Sequence, residues 1–344
     1  MTTTPLQWGI LTTGHIARKF ATDLRSSRTG RLVAVGSRRE TDAVAFAREF
    51  GDVRAHGSYE ALLADPDVQA VYIGTPHPWH APWAIAAARA GKHVLCEKPL
   101  ALNLADAQRM IAAAREHGVL LMEAFMYRLH PQTRKIVELV RARCVGELRL
   151  IRASFNFAID FDPAHRLFDK ALGGGAILDV GCYPMSFARL IAGQGNAEGF
   201  ANPTTVLGAG RIHPTAQTDE FATAVATFPD GVLAELSCGT TVLDDQSAQI
   251  HGTLGWIDVS NPFLPGQGGR DEVIWLHRRG SATPEKIAIT GLPHGLYTYE
   301  ADAVAEAVAR GATEVPAMTW ADTLGNIAAL DAWRRAVGTR YEGE

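Results

Sequence analysis

Leu6-Gln7-Trp8-Gly9-Ile10-Leu11-Thr12-Thr13-Gly14-His15-Ile16-Ala17 is the stretch whose reading decides the fold. Its first half is an apolar, strand-forming run. Its second half is a turn of small residues that opens a helical stretch reaching to Ser26. Such a turn aims backbone N–H groups and the positive end of a helix at one point, which suits a pyrophosphate, and only small residues let the backbone come that close. Gly14 supplies the close approach and Ala17 the small helix-packing position, while Thr12 stands where the first glycine of the dinucleotide fingerprint is usual. Thr12, Thr13, Gly14, His15 and Ile16 are therefore the expected cofactor turn, with Thr12 a departure from the pattern.

Working outward, short β-rich runs at Leu6–Thr12, Arg31–Ser37, Gln69–Gly74, His93–Glu97 and Val119–Phe125 alternate with helical stretches near Gly14–Ser26, Thr41–Phe50, Tyr59–Ala64, His80–Ala90 and Leu104–His117. That alternation predicts a parallel sheet with helices on both faces. A helix near Pro131–Arg143 follows, and then the pattern changes. Leu148–Phe157, Thr205–Ile212, Phe221–Phe228, Val232–Ser237, Ala248–Gly252 and Val273–His277 read as strands, with helices near Ala176–Ala192, Tyr299–Arg310 and Ala321–Val337 and a hairpin tip at Gly266-Gln267-Gly268-Gly269. The expected class is α/β: an N-terminal Rossmann domain with a doubly wound parallel sheet over residues 1–125, then a C-terminal α+β domain over 126–344 with a large, mostly antiparallel open sheet.

Composition narrows the function. The 344 residues are 47% hydrophobic and 20% charged with a net charge of -4, which fits a globular protein and gives no basic footprint for nucleic acid or an anionic membrane. Cys96, Cys144, Cys182 and Cys238 are widely spaced without a CxxC pair, and the twelve histidines form no HxxxH or HExxH pair, so no metal is expected. No apolar run approaches the roughly 20 residues of a membrane-spanning helix. The start of the chain carries no basic segment with a long apolar core, which leads to the expectation of a cytoplasmic protein with a small-molecule partner.

Three further segments sit at predicted strand ends, where a parallel sheet presents groups to a bound ligand. Ser37-Arg38-Arg39 closes the second strand about 20 residues beyond Ala17. An NAD-selective site places Asp or Glu there for the ribose hydroxyls, whereas a hydroxyl followed by arginine suits a 2′-phosphate, so NADP(H) is the expected cofactor, with NAD(H) as the alternative. Thr75-Pro76-His77-Pro78-Trp79-His80 and Glu97-Lys98-Pro99-Leu100 end the next strands. Thr75, Pro76, His80, Glu97, Lys98 and Pro99 join the expected cofactor-binding set, and Lys98 is well placed for a catalytic role.

With these motifs the chain resembles the glucose-fructose oxidoreductase, inositol dehydrogenase and rhizopine-catabolism (Gfo/Idh/MocA) family. The turn at Thr12–Ala17, the Thr75-to-His80 segment, Glu97-Lys98-Pro99, and Gly173-Gly174-Gly175-Ala176-Ile177-Leu178-Asp179-Val180-Gly181-Cys182-Tyr183-Pro184 carry the resemblance across both domains. Met122-Glu123-Ala124-Phe125-Met126-Tyr127-Arg128 and the tyrosine at 183 are most similar to the branch of dimeric dihydrodiol dehydrogenases and NADP-dependent xylose dehydrogenases. The resemblance implies that Lys98, Asp179 and Tyr183 converge at a nicotinamide.

Hydride transfer at an alcohol carbon requires a proton to leave or join the substrate oxygen, and Tyr183 is the expected carrier. A neighbouring ammonium from Lys98 would favour the phenolate and lower the usual tyrosine value of about 10. Asp179, four residues before Tyr183, would share a helix face with it and orient Lys98 or a substrate hydroxyl. Arg128, His165 and Arg166 are candidate polar groups on the substrate side, with surface pairing as the alternative, and His80 is weighed against a buried histidine bonded to backbone. The expected substrate is a sugar, cyclic polyol or related diol; the alternatives are a sugar-to-sugar hydride shuttle with retained cofactor and a non-catalytic NADP-sensing regulator. One face of the open sheet would need cover, which predicts a homodimer or homotetramer through it.

Overall fold

β1 (Leu6–Leu11) is buried at every position but Gln7 in the computed structural model, which describes residues 4–243, 246–292 and 295–341. Burial on both faces is what a parallel strand between two helical layers requires. With β2 (Gly30–Gly36), β3 (Arg54–His56), β4 (Ala70–Ile73), β5 (His93–Glu97) and β6 (Leu121–Ala124) it forms an all-parallel sheet in the order β3-β2-β1-β4-β5-β6. Helices α1 (His15–Leu24), α2 (Glu40–Phe50), α3 (Tyr59–Ala64), α4 (His80–Arg89) and α5 (Leu104–Glu116) lie between consecutive strands. The strand order reverses between β1 and β4, the switch point at which such sheets take ligands. Phe20 of α1 meets Trp8 edge-on at 5.4 Å and stacks on Tyr72 at 4.0 Å. Gly30 is glycine for want of room, because a Cβ there would lie 2.7 Å from Trp8 Nε1.

A second unit starts with α6 (Pro131–Arg141), whose first turn is capped by His130 Nδ1 accepting from Gln132 N–H at 3.2 Å. It continues through β7 (Leu148–Asn156), α7 (Cys182–Ala192), β8 (Thr205–Ile212), β9 (Asp219–Thr227), β10 (Leu233–Gly239), β11 (Ser247–Gly252), β12 (Gly255–Val259), β13 (Glu272–Arg278) and β14 (Glu285–Ile289). The eight strands run in the order β14-β13-β12-β11-β7-β10-β9-β8, antiparallel except for the pairing of β7 with β10. Period-2 burial puts Ile151, Ala224, Leu236, Ile250, Ile257 and Ile274 on the inner face, against which α7 packs at β7 and β10 and α6 at β13. The outer face carries a row in register across the sheet, from Leu207 through Val225, Glu235, Arg152, Gln249, Asp258 and Trp275 to Lys286.

Two helices close the chain, α8 (Leu296–Ala309) and α9 (Trp320–Val337). Residues 295–323 pack with the first unit, whereas the sequence pattern places them in the second; residues 324–341 pack with the second. The reason is a set of polar bonds, buried at Asp23 and part-buried at Asp302. Tyr297 N–H donates to Asp23 Oδ2 at 3.2 Å, Thr298 Oγ1 donates to the Asp23 carbonyl at 2.7 Å, and Asp302 accepts from the hydroxyls of Ser27 and Thr29 at 2.5 Å each. The edge strand β6 is capped in the same way, with Leu121 N–H on the Thr313 carbonyl and Trp320 Nε1 on the Leu121 carbonyl.

Glu300 of α8 is fully buried and neither carboxyl oxygen has a hydrogen-bond partner among the described residues. Burial pushes its pKa well above the ordinary value, and the charges of Glu97 and Asp23 push it further. The folded state therefore keeps a proton that the unfolded chain releases above about pH 4.5, so this group makes the fold less stable as pH rises, at up to about 1.4 kcal/mol per pH unit. Glu300→Gln removes that dependence. Melting midpoints measured from pH 5.5 to 8.5 should show the variant gaining on the parent with each step; parallel curves would contradict the buried neutral carboxyl.

Candidate functional site

The turn after β1 adopts the backbone that its sequence departs from. Thr12 has φ +97°, the left-handed region in which the fingerprint's first position is normally glycine, and a β-branched residue is strained there. Its amide donates to the Gly36 carbonyl at 3.0 Å and its hydroxyl to the Gly74 carbonyl at 3.4 Å, so the strained residue ties the ends of β1, β2 and β4 together. Gly14 is the N-cap of α1, in extended conformation and with no side-chain cap, and a Cβ on it would meet no protein atom within 4 Å. His15 is exposed, Ile16 half-buried, and Arg18 reaches back to the Thr13 carbonyl and to Glu49. The start of α1 thus offers uncapped N–H groups, no acidic side chain and open space, a fit for an anion.

Ser37 at the end of β2 is buried, and its hydroxyl accepts from Arg39 N–H at 3.4 Å. Arg38 is exposed, and its guanidinium lies beside the hydroxyl of Tyr59, the first residue of α3; burial pushes the Tyr59 pKa up while Arg38 pulls it down. Arg39 is turned elsewhere, forming a surface pair with Asp42 at 2.7 Å. Sequence reading missed Tyr59 because it marks only the start of a predicted helix.

Lys98-Pro99-Leu100 leaves β5 with a cis Lys98–Pro99 bond, and three buried side chains hold its backbone. Glu97 Oε2 accepts Lys98 N–H at 3.2 Å, Glu123 Oε1 accepts Leu100 N–H at 2.8 Å, and His80 Nδ1 faces the Pro99 carbonyl at 3.1 Å. Glu97 Oε1 is in turn fixed by the hydroxyls of Tyr72 at 2.6 Å and Tyr297 at 3.1 Å. Burial raises the Glu97 pKa, and the Lys98 charge and both tyrosine donors oppose it. His80 is completely buried, with Nε2 on the Thr75 carbonyl at 2.8 Å. Both ring nitrogens thus face backbone carbonyls, as in the alternative weighed for this ring, and His80 braces the turns after β4 and β5. Burial drives its pKa down to about 4 against the opposing pull of backbone bonds to Thr75, Pro99 and Leu100, and a neutral ring, with one N–H, donates to only one of the two carbonyls its nitrogens face. Thr75 and Pro76 enter a short 3-10 turn at His77–Trp79, and Thr75 Oγ1 is buried with no hydrogen-bond partner among the described residues.

In the second unit Gly173-Gly174-Gly175 leads into a π-helical turn at Ile177–Gly181 and only then into α7. This differs from the plain helix expected over Ala176–Ala192. The wider turn re-aims Asp179 relative to Tyr183, so α-helical spacing does not describe their relation, and turns of this kind recur at functional sites. Asp179 is 5% exposed and accepts from Arg166 at 2.8 Å. Tyr183 is 4% exposed, its ring 5.1 Å from that of Phe155 and 5.7 Å from that of Phe263, two aromatics that sequence reading did not single out. His165 caps the turn that bears Arg166 by accepting Leu167 N–H at 3.3 Å. Arg128 belongs to the first unit, buried against Asp322 and the Ala317 carbonyl, so it is a structural ion pair and not a substrate-side group. Among the described residues no group of three His, Cys, Asp or Glu is arranged to hold a metal, and no helix is long and apolar enough to cross a membrane.

Residues 6–125 match the family described as an oxidoreductase family with an NAD-binding Rossmann fold, and residues 133–258 match the GFO/IDH/MocA C-terminal domain. The trans-1,2-dihydrobenzene-1,2-diol dehydrogenase of Mus musculus is 33% identical over 98% of each chain. Among solved structures, a 3-ketoreductase from Actinomadura kijaniata in complex with TDP-benzene and NADP has a TM-score of 0.85 at 30% identity, covering 97% of this chain and 98% of that one. An aldose-aldose oxidoreductase from Caulobacter crescentus, complexed with glycerol, has a TM-score of 0.86 at 26% identity with the same coverage.

Proposed function

Because the chain belongs to the Gfo/Idh/MocA oxidoreductase family, we propose that it is an NADP(H)-preferring dehydrogenase or reductase acting on a CH–OH group of a sugar, cyclic polyol or related diol. The observation that carries this reading is the braced turn at Lys98: three buried side chains fix the backbone under one half-buried lysine, an arrangement more costly than a surface ammonium needs. When bound, the nicotinamide would give or take the hydride. The uncapped start of α1 would hold the pyrophosphate, with Thr13, Gly14, His15 and Ile16 supplying backbone. Ser37 and Arg38, with Tyr59 steadying the guanidinium, would hold the 2′-phosphate.

The remaining work falls to the chain's own groups. Lys98 hydrogen-bonds the reacting oxygen of the substrate, and the Tyr183 phenol takes or returns the proton at that oxygen. Asp179, fixed by Arg166, orients these groups or a neighbouring hydroxyl, and the aromatic surroundings of Tyr183 keep bulk water away from the proton. A second reading, a sugar-to-sugar shuttle, is favoured by the likeness to the Caulobacter crescentus aldose-aldose oxidoreductase. The outer face of the eight-stranded sheet is the proposed subunit contact: it exposes Leu207, Val225, Leu233 and Trp256, and Leu207 and Val225 line a shallow hollow of about 670 Å³ together with the paired Arg152 and Glu235.

The test is absorbance of the reduced cofactor with NADP+ and a panel of aldoses, cyclic polyols and trans-1,2-dihydrobenzene-1,2-diol. Turnover on at least one is expected, with Lys98→Ala and Tyr183→Phe each losing about 10²-fold or more in kcat; full activity in either variant removes that residue from the chemistry, and dinucleotide surviving gel filtration selects the shuttle. Arg38→Ala should weaken NADP by about 10- to 150-fold, the worth of one charge-assisted bond, and spare NAD; equal losses would reject the phosphate assignment. Light scattering at micromolar concentration should give a dimer or tetramer, and monomer alone would dispose of the sheet contact.

A further inference from the structure

Gly173-Gly174-Gly175 enters the segment bearing Asp179 and Tyr183 with φ +71° at Gly173 and +120° at Gly175. Three consecutive glycines leave the backbone many alternatives, because no Cβ excludes them, so the surroundings must select one. On one side the carbonyls of Arg166 and Leu167 come within 2.6 and 2.5 Å of where a Cβ on Gly174 would sit. On the other, a Cβ on Gly175 would lie 2.5 Å from Asp219 Oδ1 and 3.1 Å from the Tyr341 hydroxyl. The turn is gripped from both sides.

The second side also bonds to it. The Tyr341 hydroxyl donates to the Gly174 carbonyl, 167 positions away in sequence, and Ile177 N–H donates to Asp219 Oδ2 at 2.6 Å. Ile177 opens the π-helical turn, so Asp219 caps it with a charge-assisted bond. We propose that Asp219 and Tyr341 are positioning residues that select one conformation of the glycine turn and thereby set the placement of Asp179 and Tyr183; the proposal rests on the catalytic reading given above.

Both residues are themselves held. Asp219, 1% exposed, begins β9, where burial raises its pKa while the Ile177 amide and the Arg334 charge pull it down. Tyr341, 6% exposed, follows α9, and its ring lies 5.0 Å from the Arg334 guanidinium, which is buried and bonded to Asp331 at 2.6 Å. The far face of the π-helical turn is closed by α9 and β10, since a Cβ on Gly181 would come within 2.9 Å of Cys238 Sγ and 3.3 Å of Trp333. The segment therefore shifts only if the glycine turn opens, and the turn opens only if Tyr341 and Asp219 release it.

Tyr341→Phe removes one hydroxyl and keeps the ring on Arg334; Asp219→Asn keeps the shape and removes the charge. With the best substrate of the sugar and diol panel, Y341F should lose about tenfold in kcat with the KM for NADP unchanged, and the pH–rate profile should shift as Asp179 moves. D219N should lose more. Independently of turnover, amide exchange across residues 174–183 should quicken about tenfold in both variants while exchange in the Rossmann sheet stays as in the parent. Unchanged exchange and kcat would overturn the proposal, as would a loss of kcat, NADP affinity and global stability together, or failure of both variants to fold, since each assigns these residues to stability alone. Full activity in Tyr183→Phe would instead sink the catalytic reading, and the exchange measurement would still judge the turn.

Discussion

Glu97 is a buried acid whose two oxygens take different partners, one the hydroxyls of Tyr72 and Tyr297 and the other the amide of Lys98. Removing such a charge from water costs several kcal/mol unless its lone pairs are filled, and here donors from β4, α8 and its own chain fill them. The consequence is rigidity where the chain would otherwise be loosest, at a turn between strand and helix. Glu123 repeats the device two residues on, at the amide of Leu100. Asp219 repeats it in the second unit at the amide of Ile177, and Asp23 at that of Tyr297. At each of these four points a buried acid accepts a backbone N–H that no helix or sheet partner takes up, whereas the start of α1 at Gly14 is left uncapped.

This arrangement also explains why the first unit needs residues 295–323. α8 supplies Tyr297 to Glu97 and takes Asp23 as the acceptor for its first turn, so the helix and the end of β5 are parts of one polar network. Glu300 is the exception that defines the network's limit. Neither of its oxygens has a hydrogen-bond partner among the described residues, and burial, with the charges of Glu97 and Asp23 behind it, pushes its pKa well above the ordinary value, which favours the neutral form. Arg128 and Asp322 extend the same logic beyond the end of β6, where an arginine that the sequence offers either to a substrate or to a surface pair is held in a buried ion pair.

The Rossmann half was legible because its signals are local. Period and burial of a parallel strand, the small turn after β1, and the lack of an acid at Ser37-Arg38 all follow from neighbouring residues. The structure adds three strands that the sequence pattern does not mark: β3, three residues long and half exposed; β14, an exposed edge with charged side chains; and β12, five residues long with only Ile257 and Val259 buried. The π-helical turn at Ile177–Gly181 was illegible because its residues read as ordinary helix, and what widens the turn lies outside them. Tyr59, Phe155 and Phe263 were missed since an aromatic gains meaning at a site only from what it faces.

The sequence by itself determined the doubly wound sheet and the turn of small residues after its first strand, because each depends on residue type and short spacing, and it offered Lys98, Asp179 and Tyr183 for chemistry through the resemblance to the family. Tertiary structure alone decided that Thr12 takes a glycine's backbone, that the His80 ring faces two backbone carbonyls, and that Tyr341 reaches the turn at Gly174. Those outcomes are set by burial and by bonds between residues tens to hundreds of positions apart, and no local pattern encodes which buried donor will find which acceptor.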